Sequence, residues 1–182
     1  PPFRAENSHT PRHACEFWMI EPEICFADLD DVIALATDFV KTVTKRTMEQ
    51  LPDDFAFFDR FIEKGLIEAL ETAVNADFAR VSYDEAQEIL VASGRKFEFE
   101  VGPGKSLQAE HERYLSEEHF KGPVFVTDYP LEQKAFYMRR NDDGRTVAAT
   151  DLLVPRIGEM IGGSQREERL DVLDELFAHH DI

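Results

Sequence analysis

The sequence predicts an α+β domain, an antiparallel β-sheet flanked by helices. Two alternating segments bracket a polar loop within the first 26 residues, helical periodicity dominates about 28–120, and short strand-like runs precede a last helix over about 123–182. At 182 residues with 43% hydrophobic side chains and fifteen Phe, the chain can build a core without disulfide staples. Its 20 basic and 37 acidic residues give a net charge of −17, which excludes a surface that grips nucleic acid over its whole extent. Cys15 and Cys25 make neither a disulfide framework nor a thiolate metal site, which fits a reducing cytoplasm. No apolar run reaches membrane-span length, so no membrane partner is expected. No secretory leader is visible, and a first residue of Pro1 rather than Met leaves room for a preceding piece.

The elements follow in order. Phe3 to Glu6 reads as a strand, and Glu16 to Phe26 as its hairpin partner. In the second strand Trp18, Ile20, Ile24 and Phe26 share one face, predicted to be core, while Phe17, Met19, Glu21, Glu23 and Cys25 share the other. Two carboxylates and an aromatic ring on one face suit the floor of a site. Asp28 opens a helix whose apolar stripe runs through Val32, Leu35, Ala36, Phe39, Val40 and Val43. A second helix follows Leu51-Pro52, with Gly65 its weak point. Tyr83 to Ala92 is a third, ended at Ser93-Gly94, and a fourth passes through Leu107, His111, Tyr114 and Leu115. Strands are expected at Pro123–Thr127, Ala135–Arg139 and Thr146–Val154, then a turn near Pro155 to Gly158 and a short strand at Glu159–Ile161. Ser164-Gln165-Arg166-Glu167 fits a capping box for the last helix.

Two stretches carry chemistry. The first is Phe3-Arg4-Ala5-Glu6, a polar loop with Arg12 and His13, then Glu16-Phe17-Trp18-Met19-Ile20-Glu21-Pro22-Glu23. A guanidinium at a strand end can take a phosphate bidentately, and an aromatic ring can cover a base. On the residues alone, cross-strand ion pairs among Arg4, Glu6, Glu21 and Glu23 explain the pattern equally. The second stretch is Asp151-Leu152-Leu153-Val154-Pro155-Arg156-Ile157-Gly158-Glu159, then Gly162-Gly163-Ser164-Gln165-Arg166-Glu167. On one straight strand Asp151 and Glu159 would stand about 26 Å apart, so they share an ion only if the chain reverses between them. Two hard carboxylates with phosphate oxygens and water suit Mg²⁺, whereas two acids on a solvated hairpin need no ion. Arg166 could equally pair with Glu167 or an acid one turn on. His111 reads as a packing residue.

Together these strings resemble motif 2 and the following segment of the class II aminoacyl-tRNA synthetases, in wording most similar to the asparaginyl-tRNA synthetases. The stretches Leu107 to Leu115, Pro123 to Pro130 and Lys134 to Arg139 read the same way. The resemblance implies an incomplete class II catalytic core, with a motif 2 hairpin over 1–26, a helical insert over about 28–120, and sheet strands with a C-terminal helix beyond. It further implies ATP as substrate, Mg²⁺, asparagine and tRNA(Asn) as partners, and a homodimer in the intact enzyme. By resemblance Arg4 takes the α-phosphate and is catalytic, Glu6 lies near the adenine edge, Arg12 and His13 meet the outer phosphates, and Phe17 stacks on the base. Asp151 and Glu159 hold the metal against ATP, while Glu21 and Arg166 recognise the amino-acid amide. Motifs 1 and 3 and the family's anticodon-binding barrel are not in this sequence, and the piece alone is expected to have little activity. His9 and Pro11 depart from the family's motif 2 loop, and Arg156 stands where the family usually has glycine. The rival functions are an aspartyl or non-discriminating relative, and a paralogue acting as an amide-forming enzyme or binding module.

Overall fold

The structure, a computed structural model, describes residues 2–5 and 14–179. Helix α1 (Leu29–Gln50) starts where the sequence signals it. Asp28 accepts from the Asp31 amide and Asp31 from the Asp28 amide, each at 3.0 Å, closing a reciprocal cap on two donors the helix cannot satisfy itself. The expected second helix is two, α2 (Pro52–Phe61) and α3 (Leu66–Asn75). The weak point is a break: Gly65 precedes α3 at φ +83°, a backbone conformation that helices do not contain.

Strand β1 (Ala79–Ser82), too short to register as a periodicity, was not expected. Ser82 ends it and at once caps α4 (Tyr83–Ala92) with Glu85 as the reciprocal partner. Helix α5 (Ala109–Arg113) continues into a π-helical turn over Tyr114–His119, and β2 (Val124–Pro130) follows. A 3₁₀ turn (Leu131–Gln133), β3 (Thr146–Val154), β4 (Gly158–Ser164) and α6 (Leu170–His179) complete the order. The sheet runs β1-β2-β3-β4, antiparallel across β2, β3 and β4, with β1 joined parallel to β2. The α+β class therefore stands, with one parallel edge pair made possible by the crossover through α4.

Side-chain alternation explains why β2 and β3 are buried throughout most of their length. Val124 and Val126, with Ala149 and Leu153, face a core shared with Tyr83, Leu90 and Leu115. Phe125 and Leu152 face the other way, onto Ala36, Ile33 and Val40 of α1. A sheet covered on both faces reads as apolar runs, as residues 124–126 and 152–154 do.

Three expectations fail. Ala135–Arg139 is not a strand: its backbone makes single bridges, Arg139 N–H to the Gln165 carbonyl at 3.0 Å and Glu167 N–H to the Tyr137 carbonyl at 2.9 Å, and no ladder. Ser164 does not cap the last helix. It is the final, buried residue of β4, paired with Ala149, and the Glu167 carboxylate that should close the box accepts instead from Arg169 and the Arg140 amide. Among the described residues the first hairpin shows one antiparallel bridge, Phe3 with Glu16. The face predicted as core is open, Trp18 at 87% and Ile20 at 76% exposure with Ile24 and Phe26 also exposed, because among the described residues no layer covers it.

Candidate active site

The turn after β3 reverses the chain tightly enough to fold Glu159 back beside Asp151. Arg156 occupies the left-handed region at φ +69° and Gly158 follows at φ +82°. Arg156 is held there from both ends: its amide donates to Glu117 Oε1 at 2.7 Å and its guanidinium pairs with Glu63. The arginine in the glycine position thus leaves the turn intact, its strain offset by these anchors. In the resulting register Asp151 lies opposite Gly162, and Leu153 opposite Glu159. A Cβ on Gly162 would stand 3.1 Å from Glu159 Oε1 and 3.4 Å from Asp151 Oδ1, so the two carboxylates border one small space that a larger residue would crowd.

Residues without an assigned role in the sequence complete this cluster. Glu112 of α5 accepts from the Glu159 amide at 3.2 Å. Lys134 Nζ donates to both oxygens of Asp151, at 2.9 and 2.7 Å, and lies 3.9 Å from the centroid of the Tyr129 ring. Burial, then the Asp151 carboxylate that its hydroxyl faces, and then the charges of Glu159 and Glu112 push the Tyr129 phenol well above its ordinary range. It remains a protonated donor. The signal that could have found Lys134 is Asp151 itself. A carboxylate on the face of β3 that carries Ala149 and Leu153 has to meet a counter-charge.

Arg166 follows β4 and bridges antiparallel to Met138. One guanidinium nitrogen donates to Ser164 Oγ and another to Glu23 Oε1, each at 2.6 Å, and the plane lies 5.1 Å from the Tyr137 ring centroid. Its partner is not Glu167, which binds Arg169. Glu23 lies 143 positions away in the chain, so this contact carries the outgoing arm of the N-terminal segment to the end of β4. Glu21, expected beside Arg166, is exposed on the same arm. Arg4 and Phe17 sit on facing arms, the Arg4 amide donating to the Cys15 carbonyl at 2.9 Å and the Phe17 amide to the Pro2 carbonyl at 3.3 Å. Arg4 is exposed and Phe17 half-buried, while Glu6, Arg12 and His13 lie outside the described residues.

The structure therefore brings Asp151 to Glu159 and Arg166 to the arm that bears Glu21, and it bridges the arms that bear Arg4 and Phe17. A surface cleft of about 600 Å³ lies elsewhere, between α1, α2 and α3, and involves none of these residues. Among the described residues no helix is long and apolar enough to cross a membrane.

Known proteins resemble this chain along its length. Residues 1–182 match the family model for tRNA synthetases class II (D, K and N). The asparagine–tRNA ligase of Clostridium beijerinckii is 64% identical over 175 residues, which are 96% of this chain and 38% of that protein. That of Oleidesulfovibrio alaskensis is 64% identical over 174 residues, with the same coverage of 96% and 38%. The asparaginyl-tRNA synthetase of Pyrococcus horikoshii, solved with asparaginyl-adenylate, superposes with a TM-score of 0.85 at 38% identity, over 99% of this chain and 39% of that one. The chain thus spans under two-fifths of the length of these curated relatives. A match over every residue, together with a fold that superposes on a solved synthetase, means that the chain belongs to the class II tRNA synthetases of the D, K and N group.

Proposed function

We propose that the protein of which this chain is part activates asparagine with ATP, forming asparaginyl-adenylate and pyrophosphate, and transfers the asparaginyl group to tRNA(Asn). The observation that carries the reading is the contact between Glu23 and Arg166. It joins the arm bearing Glu21 to the hairpin bearing Asp151 and Glu159. Support also comes from curated relatives at 64% identity named as asparagine–tRNA ligases and from a structural neighbour that holds the adenylate.

In this reading Arg4 binds the α-phosphate and stabilises the charge that grows there as pyrophosphate leaves, with Phe17 stacked on adenine. Glu6, Arg12 and His13 complete the nucleotide site. Arg166 donates to the side-chain oxygen of asparagine and Glu21 accepts from its amide nitrogen, an arrangement that repels the second carboxylate oxygen of aspartate. For that, Arg166 exchanges its Glu23 contact for the ligand or shares it. Asp151 and Glu159 are the residues that would hold Mg²⁺. Their oxygens border one space at Gly162 and are hard donors. Phosphate oxygens and water would supply the ion's remaining ligands. The ion's chemistry is charge neutralisation on the phosphates. No protein nucleophile is needed, and the residues act by positioning reactants and by placing positive charge. The intact enzyme is read as a cytoplasmic homodimer.

Pyrophosphate exchange by the full-length protein tests this. Exchange should require asparagine, with aspartate a far poorer substrate, and Arg166→Lys should lower kcat/KM for asparagine about 100-fold, because a lysine cannot reproduce the forked contact. A preference for aspartate would overturn the assignment of Glu21 and Arg166.

A further inference from the structure

The cluster under the β3–β4 hairpin already contains a cation. Lys134 Nζ engages both oxygens of Asp151, and the two side chains are only 19% and 12% exposed. A carboxylate this shielded needs a counter-charge to remain ionised and in place. Yet Asp151 Oδ1, which accepts from Lys134, is also the oxygen that borders the Gly162 space together with Glu159 Oε1. A divalent ion on that oxygen, at about 2.1 Å, would press against the ammonium. Both cations cannot hold Asp151 in the same way.

We propose that Lys134 is a positioning residue for the metal. It is the resident counter-cation of Asp151 in the metal-free protein and yields the carboxylate to the divalent ion. The inference rests on the reading of Asp151 and Glu159 as metal ligands. The local structure allows the exchange. Lys134 follows the 3₁₀ turn in extended conformation, φ −125° and ψ 167°, so its four-carbon stem is not locked into a helix. Its ammonium already lies against the Tyr129 ring, whose face can keep hold of it when the carboxylate is withdrawn. The residue type matters as well. An ammonium is a point charge with rotatable donors, whereas an arginine fork would grip both oxygens of Asp151 and resist displacement. Lys134 therefore steadies Asp151 before metal binds and weakens the first binding of metal, two effects of opposite sign from one contact.

The test uses the full-length protein, with Mn²⁺ as the metal, read by electron paramagnetic resonance for affinity and by thermal melts in chelator and in saturating Mn²⁺. Lys134→Met should melt lower than the native protein in chelator, recover most of that deficit in Mn²⁺, and bind Mn²⁺ about tenfold more tightly. Lys134→Arg should keep the native melting point in chelator and bind Mn²⁺ several-fold more weakly. Native or weaker affinity in Lys134→Met overturns the inference, as does affinity in Lys134→Arg that matches or exceeds native. Should Lys134→Met fail to fold, Lys134→Arg decides alone. Asp151→Asn separates the two readings. Mn²⁺ binding that is lost in Asp151→Asn but indifferent to Lys134 overturns the counter-cation role only. Absence of Mn²⁺ binding in the native protein and every variant, with ATP as well as without it, overturns the metal-site reading and this inference with it.

Discussion

Glu167 accepts from the Arg169 guanidinium at 2.7 and 2.8 Å and from the Arg140 amide at 3.0 Å, with its own side chain fully shielded. The Arg169 bonds draw its carboxyl down to about 2, and the backbone donors reinforce them. A carboxylate whose pKa falls on folding contributes stability above its unfolded pKa and loses that contribution as pH drops toward the folded one. The window here runs from about 4.5 down to about 2. Glu167→Gln should therefore cost about 1–2 kcal/mol at neutral pH, and the difference from the native protein should shrink as melts are repeated from pH 5 to pH 2. A deficit that stays constant with pH would contradict the ion pair. The same residue shows what a motif leaves open. Ser164-Gln165-Arg166-Glu167 has the spelling of a capping box, but β4 continues through Ser164 and turns the carboxylate toward Arg169. Arg166 is the converse case. Local acids were available, and the partner it found is remote Glu23.

Elements with a strong local signal are where the sequence places them. Tyr83–Ala92 and Thr146–Val154 agree residue for residue, the helix because Ser82 and Glu85 cap it and the strand because both its faces are buried. Elements that exist through a neighbour are the ones misread. Strand β1 is four residues long and is a strand because β2 lies parallel to it, in the register Ala79 with Val124. Position α1 depends on a similar remote contact. Gly163 of β4 approaches the helix so closely that a Cβ there would stand 3.3 Å from Val32 Cγ1. Gly163→Ala should push α1 off the sheet edge and destabilise the protein by about 1 kcal/mol, visible as a lower melting temperature. Combining it with Val32→Ala should restore much of the loss, and failure of that rescue would mean that the helix does not seat on Gly163.

At the scale of the molecule, a net charge of −17 works against compactness and against polyanions alike. Salt shortens the range of that repulsion, so raising NaCl from about 0.05 to 0.5 M should raise the melting temperature of the 182-residue chain by a few degrees. A flat or falling melting curve with salt would show that local pairs such as Lys134–Asp151, rather than net charge, dominate its electrostatics. The apolar residues Trp18, Ile20, Ile24 and Phe26 are the other whole-molecule feature. Their alternation is that of a half-buried strand, yet burial needs a second layer, and none covers them among the described residues.

The sequence by itself determined the α+β class, the cap of α1 and the bounds of α4 and β3, since each of these depends on neighbours within a few positions. Tertiary structure alone decided that β1 joins the sheet, that Glu23 meets Arg166, and that Lys134 neutralises Asp151. These pairings join positions distant in the chain. A buried charge is satisfied by whichever opposite charge the fold carries to it, and that depends on packing rather than on spacing.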